Sequence, residues 1–551
     1  MTDLHDIIFP SGAEPARSTG RLAGSDRPAR PESPPRQHAR PRAGAVAGRL
    51  RPALRARPPI AVGLTVLAYV VLGLLRSFVP HGVGLADSGA GGPVACALGV
   101  VPDGDGPRYT SYAILRWVTA DVGECADAAG PHLVALTAAR WASTVLGAGA
   151  LDLRVLLVAY CLLAALLATL VGRLARGRRH AEIVAGALTW VVLMDVSFLG
   201  YAASLYPQGV ALAGLVVCVA GLLLLDGARW RSWAGSVALV VGGSALVSSS
   251  TVAALAVLPV VVVLVGKAWR SVRRRRRGAD AGAPSGGLPG HAGWIVPTAA
   301  ALVLLVPAMF AVTSVSEPLR KVGTWELVSL RVLADEPEPG PELESMGLPA
   351  EAARFVGIPV WSPSSVQSWS RWSEVEPDQA AVLGYVAARP ALAFDLLDDV
   401  VRAQAEPLPA GLGSYDAGSG AEPGAQDGVA TVFSRLQGAF LSWGALGGLL
   451  VWAVLVWVAA VVRRGSEYRT RTRRLAATSL TLLGVTATQV VGTALTEGTE
   501  LSRQVVAGNL AGGLAVCLLI AAGLAVRSGA ELGAGASTEA GPKPADVGPR
   551  A

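Results

Sequence analysis

The sequence predicts an all-α polytopic membrane protein, and three observations carry that reading. Ten apolar stretches, most of them at least eighteen residues long, run through the 551-residue chain. A soluble domain cannot bury so much continuous apolar surface, whereas each helical crossing of a bilayer needs about 20 apolar residues. Hydrophobic residues make up 52% of the chain and charged residues 16%, with a positive mean hydropathy. Basic residues gather at the ends of the apolar stretches, so the net charge of +7 reads as a topology signal. No interleaving of aromatic and basic residues suggests a nucleic-acid partner.

Residues 1–58 carry eleven Arg, many Pro and little apolar content, which predicts a disordered basic cytoplasmic tail. A cleaved signal peptide is not expected, because the basic region is too long and no small-residue cleavage site follows the first apolar run. The spans are 59–79, 154–171, 182–199, 207–225, 233–247, 251–265, 294–313, 440–462, 475–495 and 505–526. The fifth and sixth are short and run almost together through Ser248, Ser249 and Ser250, as a hairpin would; nine or eleven crossings stay open. The chain therefore divides into a transmembrane region at 59–313, an extracytoplasmic loop subdomain at 314–439 and C-terminal transmembrane helices at 440–526. Residues 527–551, rich in Gly, Ala, Pro and Ser, form a second disordered cytoplasmic tail.

Orientation follows from charge. Arg and Lys cluster after every second span, at 173–179, 229–231, 267–277 and 463–474. With the Arg-rich N-terminus, they place both termini in the cytoplasm and the loops 80–153 and 314–439 outside. The larger outer loop carries more than twice as many Asp and Glu as Lys and Arg, the opposite bias. Richness in Ala, Gly, Val and Arg fits a multi-pass protein of a bacterial cell membrane.

Within the first outer loop, residues 112–122 and 132–146 have helical spacing. Both are expected to lie as amphipathic helices on the membrane surface, with Trp117 and Trp141 at headgroup level. In the second, apolar periodicity over 379–404 is interrupted by Pro390, which predicts two short helices, one on each side. Pro and Gly make 336–341 and 407–428 irregular connections. Cys96 and Cys125 share the first outer loop, where an oxidising exterior would allow a disulfide; the alternative is two unpaired small residues. Cys161, Cys218 and Cys517 fall inside spans, and no CxxC or Cys/His cluster suggests zinc.

Polar residues near the outer face are the candidates for chemistry. Asp103 and Asp105 sit in Pro-Asp-Gly-Asp-Gly-Pro-Arg-Tyr, where a carboxylate near Arg108 could act as a base while the guanidinium neutralises a phosphate. The plain alternative is an Asp-Gly turn with solvated charges. Asp195 lies near the outer end of the third span, where a carboxylate is either functional or consumed by a cap or an interhelical hydrogen bond. Tyr201, Ser204, Tyr206 and Gln208 follow it, although tyrosines at an interface are also ordinary anchors. Glu497, Glu500, Arg503 and Gln504 occupy a short outer loop, with Asn509 one turn beyond. An arginine outside runs against the charge rule, so Arg503 pairs with Glu497 or Glu500, or meets an anionic ligand.

The order of these features resembles the bacterial multispanning glycosyltransferases of the GT-C type, and among them the WsfD-like hexose transferases of surface-layer glycan biosynthesis. The similarity rests on Gly104-Asp105, on Asp195 with Tyr201, Ser204 and Tyr206, and on the Glu-Gly-x-Glu-Leu-x-Arg segment before the last span. Glu344-Ser-Met-Gly-Leu-Pro, the helix end from Tyr385 to Pro390 and Gly413-Ser-Tyr415 in the large loop resemble family segments too. The chain departs from the family at Gln208, where an acidic residue is usual, and at Gln504, where a histidine is. It departs again at Ser250 and Val252, where a lysine and a glutamine usually follow the fifth span.

The resemblance implies a hexose donor linked to a polyprenyl phosphate, entering from the outer leaflet, and a glycan acceptor. Asp105, with Asp103 beside it, would then be the catalytic base, and Arg108 would bind the phosphate, with Arg503 as a second cation. Asp195 and Glu500 would orient the acceptor or hold a divalent metal ion. Tyr201, Ser204, Tyr206, Gln208, Glu497 and Gln504 complete the expected substrate-binding set. Two rivals stand beside this enzyme: a non-catalytic scaffold of envelope assembly, which the departures favour, and a lipid-linked sugar transporter or flippase. Few ionisable residues lie near mid-membrane and no internal repeat is evident, which weighs against the transporter.

Overall fold

Helices dominate the computed structural model, which describes residues 59–86, 91–104, 111–123, 125, 131–176, 179–226, 229–247, 250–276, 292–313, 317–360, 378–409, 411–465 and 470–538. The expected tail at 1–58, the stretch 277–291 and residues 539–551 lie outside the described residues. Among the described residues, eight helices are long and apolar enough to cross a bilayer, or up to ten crossings result if each of two bent helix pairs counts as one. The all-α polytopic expectation therefore holds.

The first helix, α1 (Pro59–Phe78), leads into the first long loop. That loop contains strands β1 (Val83–Leu85), β2 (Val100–Pro102) and β3 (Arg116–Thr119), helix α2 (Pro131–Val145) and strand β4 (Leu151–Asp152). Next come α3 (Arg154–Leu174), α4 (Arg179–Leu193) and the short α5 (Val196–Ala202), which bends away from α4 by 59°. α6 (Pro207–Leu224) and α7 (Arg229–Val247) follow, then α8 (Thr251–Ala256) and α9 (Leu258–Arg276), which run on as a single span, and α10 (Ala292–Thr313). The sixth span thus reaches Arg273, beyond its expected end at 265, because the Arg-rich turns continue the helix out of the apolar layer.

The second long loop holds α11 (Glu317–Leu327), a π-helical turn at Val328–Val332, α12 (Gln379–Ala387) and α13 (Pro390–Ala405). Pro390 separates the last two, which are bent by 105°, as the missing N–H and ring of an interior proline require. Strand β5 (Leu412–Tyr415) and α14 (Val432–Leu441) return the chain to α15 (Gly444–Gly465), α16 (Thr470–Thr496) and α17 (Val506–Thr538).

Burial separates two kinds of helix. α3, α5, α6, α16 and α17 supply most of the central core, built from residues such as Leu157, Phe198, Leu212, Leu482 and Leu514. α1 is peripheral: Ile60, Leu64, Leu67, Val71 and Leu75 stay exposed at three- and four-residue spacing, an apolar stripe that suits lipid contact. α7 does not meet the apolarity criterion for a crossing, yet it packs antiparallel along α6 for its length. Gly221 lies against Gly235 and Gly214 against Gly242. Lipid offers no hydrophobic drive for helix association, so close backbone approach at small residues provides the dispersion contact.

One expectation is overturned. Residues 112–122 are not a surface helix, since Arg116–Thr119 form β3, the central strand of the antiparallel sheet β2–β3–β4. Trp117 is buried in that subdomain's core with Leu98, Val100, Leu136 and Leu151, and is not at headgroup level. Its alternating Arg-Trp-Val-Thr suits a strand with one buried face, and hydrogen bonds from two neighbours outweigh the helical spacing. The region expected to lie as a helix at 132–146 is α2, and Trp141 on it is exposed. Cys96 and Cys125 form a disulfide within this loop.

The two long loops meet. β1 pairs antiparallel with β5, Val83 opposite Tyr415, so both loops lie at one end of the bundle. The second loop has its own core around Trp325, Leu343, Met346, Tyr385 and Val400, closed below by Ala494 of α16 and by Val505, just before α17.

Glycine packing gives the first prediction. A Cβ on Gly242 would stand 2.5 Å from the Gly214 carbonyl oxygen and 2.8 Å from the Cys218 nitrogen, both of them backbone. Gly242→Val should cost at least the roughly 1–3 kcal/mol typical of overpacking. Gly523→Ala, with open space around it, should be neutral or stabilising. Thermal unfolding of the detergent-solubilised protein measures both.

Candidate functional site

The loop-bearing end is organised around the bend between α4 and α5. Asp195 caps α5: its Oδ1 accepts from the Ser197 nitrogen at 3.1 Å and from Ser197 Oγ at 2.8 Å. It reaches across to α14 as well, accepting from the Ser434 nitrogen at 3.1 Å and from the Ser434 hydroxyl. Asp195 is buried, and its oxygens are occupied by two helix starts 239 residues apart. Its role in the described structure is to join them.

From this cap the chain passes tightly between both loops. A Cβ on Gly200 would lie 2.7 Å from Leu412 and 3.1 Å from the Gly413 nitrogen, so β5 rests directly on α5. Leu205 is buried in the core of the first loop. Ser204 Oγ donates to the Tyr201 carbonyl at 2.7 Å and accepts from the Tyr206 nitrogen at 3.3 Å, closing the turn that starts α6.

Beside this turn lies a cluster of carboxylates around one guanidinium. Arg503 Nη1 is 2.6 Å from Glu500 Oε2, and its guanidinium sits 5.4 Å from the centre of the Tyr206 ring. Buried Tyr201 lies within the fields of Arg503 and Glu500. Glu326, from α11, joins from the second loop: its Oε2 accepts from Thr499 Oγ1 at 3.0 Å, while Oε1 is buried without a partner among the described residues. Gly498 makes this possible, since a Cβ there would overlap the Glu326 backbone. Glu500 adopts a left-handed conformation (φ 51°), which costs a non-glycine residue on the order of 1 kcal/mol. Such strain tends to persist where surroundings over-determine it, often at functional sites.

Electrostatics follow from the crowding. Burial pushes the Glu497 carboxyl up to about 7, opposed by Arg503 and reinforced by Glu326 and Glu500. Burial also raises Glu326, and its Thr499 hydrogen bond offsets part of this. A carboxyl titrating near neutrality beside a cation has the properties of a general base. Arg331, in the π-helical turn, holds the segment in place: it donates to the Glu497 carbonyl at 3.0 Å and the Leu396 carbonyl at 2.6 Å.

A second polar group stands at the β1–β5 ribbon. Arg76, at the end of α1, pairs with buried Asp427. Tyr415 Oη donates to Asp427 Oδ1 at 3.4 Å. Next to it a cavity of about 450 Å³ is lined by His81, Arg154 and Asp416, with Arg154 Nη2 3.4 Å from Asp416.

Of the residues singled out in the sequence, the structure brings together Tyr201, Tyr206, Glu497, Glu500 and Arg503. Asp195 is a cap, and Ser204 shapes a turn. Gln208 and Gln504 each keep a buried side-chain oxygen without a hydrogen bond among the described residues. Asn509, one turn beyond the loop, accepts from Gln404 Nε2 at 2.8 Å. Asp103 is exposed after β2, where its backbone nitrogen donates to the Arg116 carbonyl, and it joins none of these groups among the described residues. Asp105 and Arg108 lie outside the described residues. Among the described residues no group of three or more His, Cys, Asp or Glu has the arrangement to hold a metal ion. Sequence reasoning missed Glu326, Arg331, Arg76 and Asp427; the one signal available was a lone acid inside the apolar run Trp325-Glu326-Leu327-Val328.

Fold and site define a multispanning membrane protein that carries a partly buried acid–guanidinium cluster at the end where two long loops meet. The chain belongs to the family of the YfdI N-terminal transmembrane domain, whose model matches residues 51–531. Neither the curated proteins nor the solved structures yield a match.

The raised Glu497 carboxyl makes stability depend on pH. The folded protein binds that proton more tightly than the unfolded chain, so stability is greatest below pH 4.5 for this group and falls as pH rises toward about 7. Unfolding temperatures should therefore drop across that window, and Glu497→Gln should flatten the profile. A wild-type profile parallel to that of the variant would contradict the assignment.

Proposed function

We propose that this protein is an integral membrane glycosyltransferase that moves a hexose from a polyprenyl-phosphate donor to a cell-envelope glycan. The reading is supported by the meeting of Glu326, Glu497, Glu500 and Arg503 with Tyr201 and Tyr206 at the loop-bearing end of the bundle. The YfdI-type membership and the sequence resemblance to GT-C-type, WsfD-like transferases point the same way. In this reading the long loops face outward, as the distribution of Arg and Lys favours.

The chemistry needs a base for the acceptor hydroxyl, a cation for the departing phosphate and apolar surface for the prenyl chain. Glu497 takes the proton as the acceptor oxygen bonds to the anomeric carbon. Arg503 balances the charge that develops on the phosphate as the sugar–phosphate bond breaks. Burial, with a smaller push from Glu326, raises the proton affinity of Glu497, and Arg331 fixes the backbone on which Glu497 sits. Asp105 and Arg108 remain the first loop's candidates for the same two roles.

A scaffold of envelope assembly is the second reading. It is favoured by the use of Asp195 as a cap and by the existing pairing of Arg503 with Glu500. Surface-glycan composition in cells separates the two. Glu497→Gln and Arg503→Gln should each remove the transferred hexose as completely as gene deletion, a loss of roughly 100-fold or more at normal protein abundance. Asp105→Asn tests the first loop in parallel. Loss on deletion alone, with all three variants active, would make the protein a scaffold.

A further inference from the structure

At the end of the bundle opposite the long loops, a groove of about 770 Å³ lies between α9 and α16. Its mouth is ringed by Lys267, Arg270, Arg463, Arg473 and Arg474, against one carboxylate, Asp226. Deeper in, the α9 wall is apolar, with Leu258, Pro259, Val262 and Val263, and faces Thr478, Thr481 and Thr488 of α16. Leu258 and Val262 are exposed on the surface that the bilayer covers. From Arg270 back to Leu258 the helix rises about 18 Å at 1.5 Å per residue. That is close to one leaflet of a hydrocarbon core about 30 Å thick.

The cations are not all consumed by the protein. Lys267 pairs with Asp226 at 3.4 Å and donates to the Leu225 carbonyl, while Arg474 donates to the Asp226 carbonyl. Arg474 Nε is buried without a partner among the described residues. Arg270 donates from Nε to the Gly266 carbonyl one turn back. Arg473 forms no ion pair among the described residues, and Arg463 lies in the repulsive fields of Arg473 and Arg270. The charge rule for topology asks only that such residues lie in a loop. It does not ask that they surround the head of an apolar furrow one leaflet long.

We propose that this groove binds an anionic glycerophospholipid of the adjacent leaflet, its phosphate held by Arg270, Arg473 and Arg474 and one acyl chain lying along α9. Charge complementarity selects the headgroup, because a phosphodiester relieves the mutual repulsion of the guanidiniums and accepts their forked hydrogen bonds. The chain removes Val262 and Leu258 from irregular lipid contact and fills the gap between α9 and α16. The site is separate from the cluster at the loop-bearing end and stands whatever reaction that cluster performs.

The test uses the full chain in lipid nanodiscs. Phosphatidylglycerol should raise the unfolding temperature above that in phosphatidylcholine alone, and native mass spectrometry should find the anionic lipid retained. Arg270→Gln with Arg473→Gln, at exposed positions, should abolish the difference and lower retention about tenfold. Val262→Trp, which fills the furrow and leaves every charge in place, should also displace the lipid. Equal stabilisation by both lipids, full retention in the double variant, or equal protection by inorganic phosphate alone would each overturn the proposal.

Discussion

Everything at the loop-bearing end hangs on the way Asp195 ends a crossing. The span formed by α4 stops there, α5 starts at an angle of 59°, and the carboxylate that caps α5 also binds the start of α14. A carboxyl group this deeply buried persists only when its oxygens are fully used. Here the backbone and hydroxyl of two serines use them, and the same bonds join the third crossing to the segment that leads into the eighth. With α5 fixed, Gly200 admits β5 and Leu205 enters the first loop's core, so both loops take their position from one cap.

The acid–guanidinium cluster depends on that frame. Tyr201 and Tyr206 come from the α5–α6 turn, Glu497 to Arg503 from the turn after α16, and Glu326 from α11 in the second loop. No two of these three segments are neighbours in sequence, and the last two bring carboxylates that repel one another, Glu326 against Glu497 and Glu500. Arg503 attracts Glu497 and Glu500, and Arg331 and the Gly498 contact add attraction through backbone carbonyls and close packing. The strain at Glu500 and the elevated proton affinity of Glu497 are thus features of one arrangement, in which like charges are held together by one guanidinium and by neutral contacts.

How much of this was legible in the sequence follows from the range of each signal. Apolar length is local, so the crossings could be read, and so could the break at Pro390, where one residue's chemistry decides the outcome. The strand at Arg116–Thr119 was not legible, because its hydrogen bonds go to residues 100–102 and 151–152, and spacing alone suits a helix as well. In the site, the short run from Glu497 to Arg503 stood out because an arginine there breaks a charge rule. Glu326 did not stand out, since its partner Thr499 is 173 residues away. Arg76 and Asp427 are 351 residues apart, and either alone looks like an ordinary interfacial charge.

The two ends of the bundle handle charge in opposite ways, and the difference follows from what each end has to cover it. Where the long loops fold over the helices, Glu326 and Glu497 are drawn inward, and burial leaves Glu497 protonated more easily than a free carboxyl. At the other end no described subdomain covers the helix termini, and guanidiniums crowd around a furrow with one acid among them. Buried protein can neutralise charge with fixed dipoles, whereas an uncovered rim must draw on water, ions or lipid headgroups. Charged residues of both signs therefore serve the fold at the loop-bearing end, while at the opposite end Lys267 and Arg474 bond to Asp226 and the Arg270 and Arg473 side chains stay exposed.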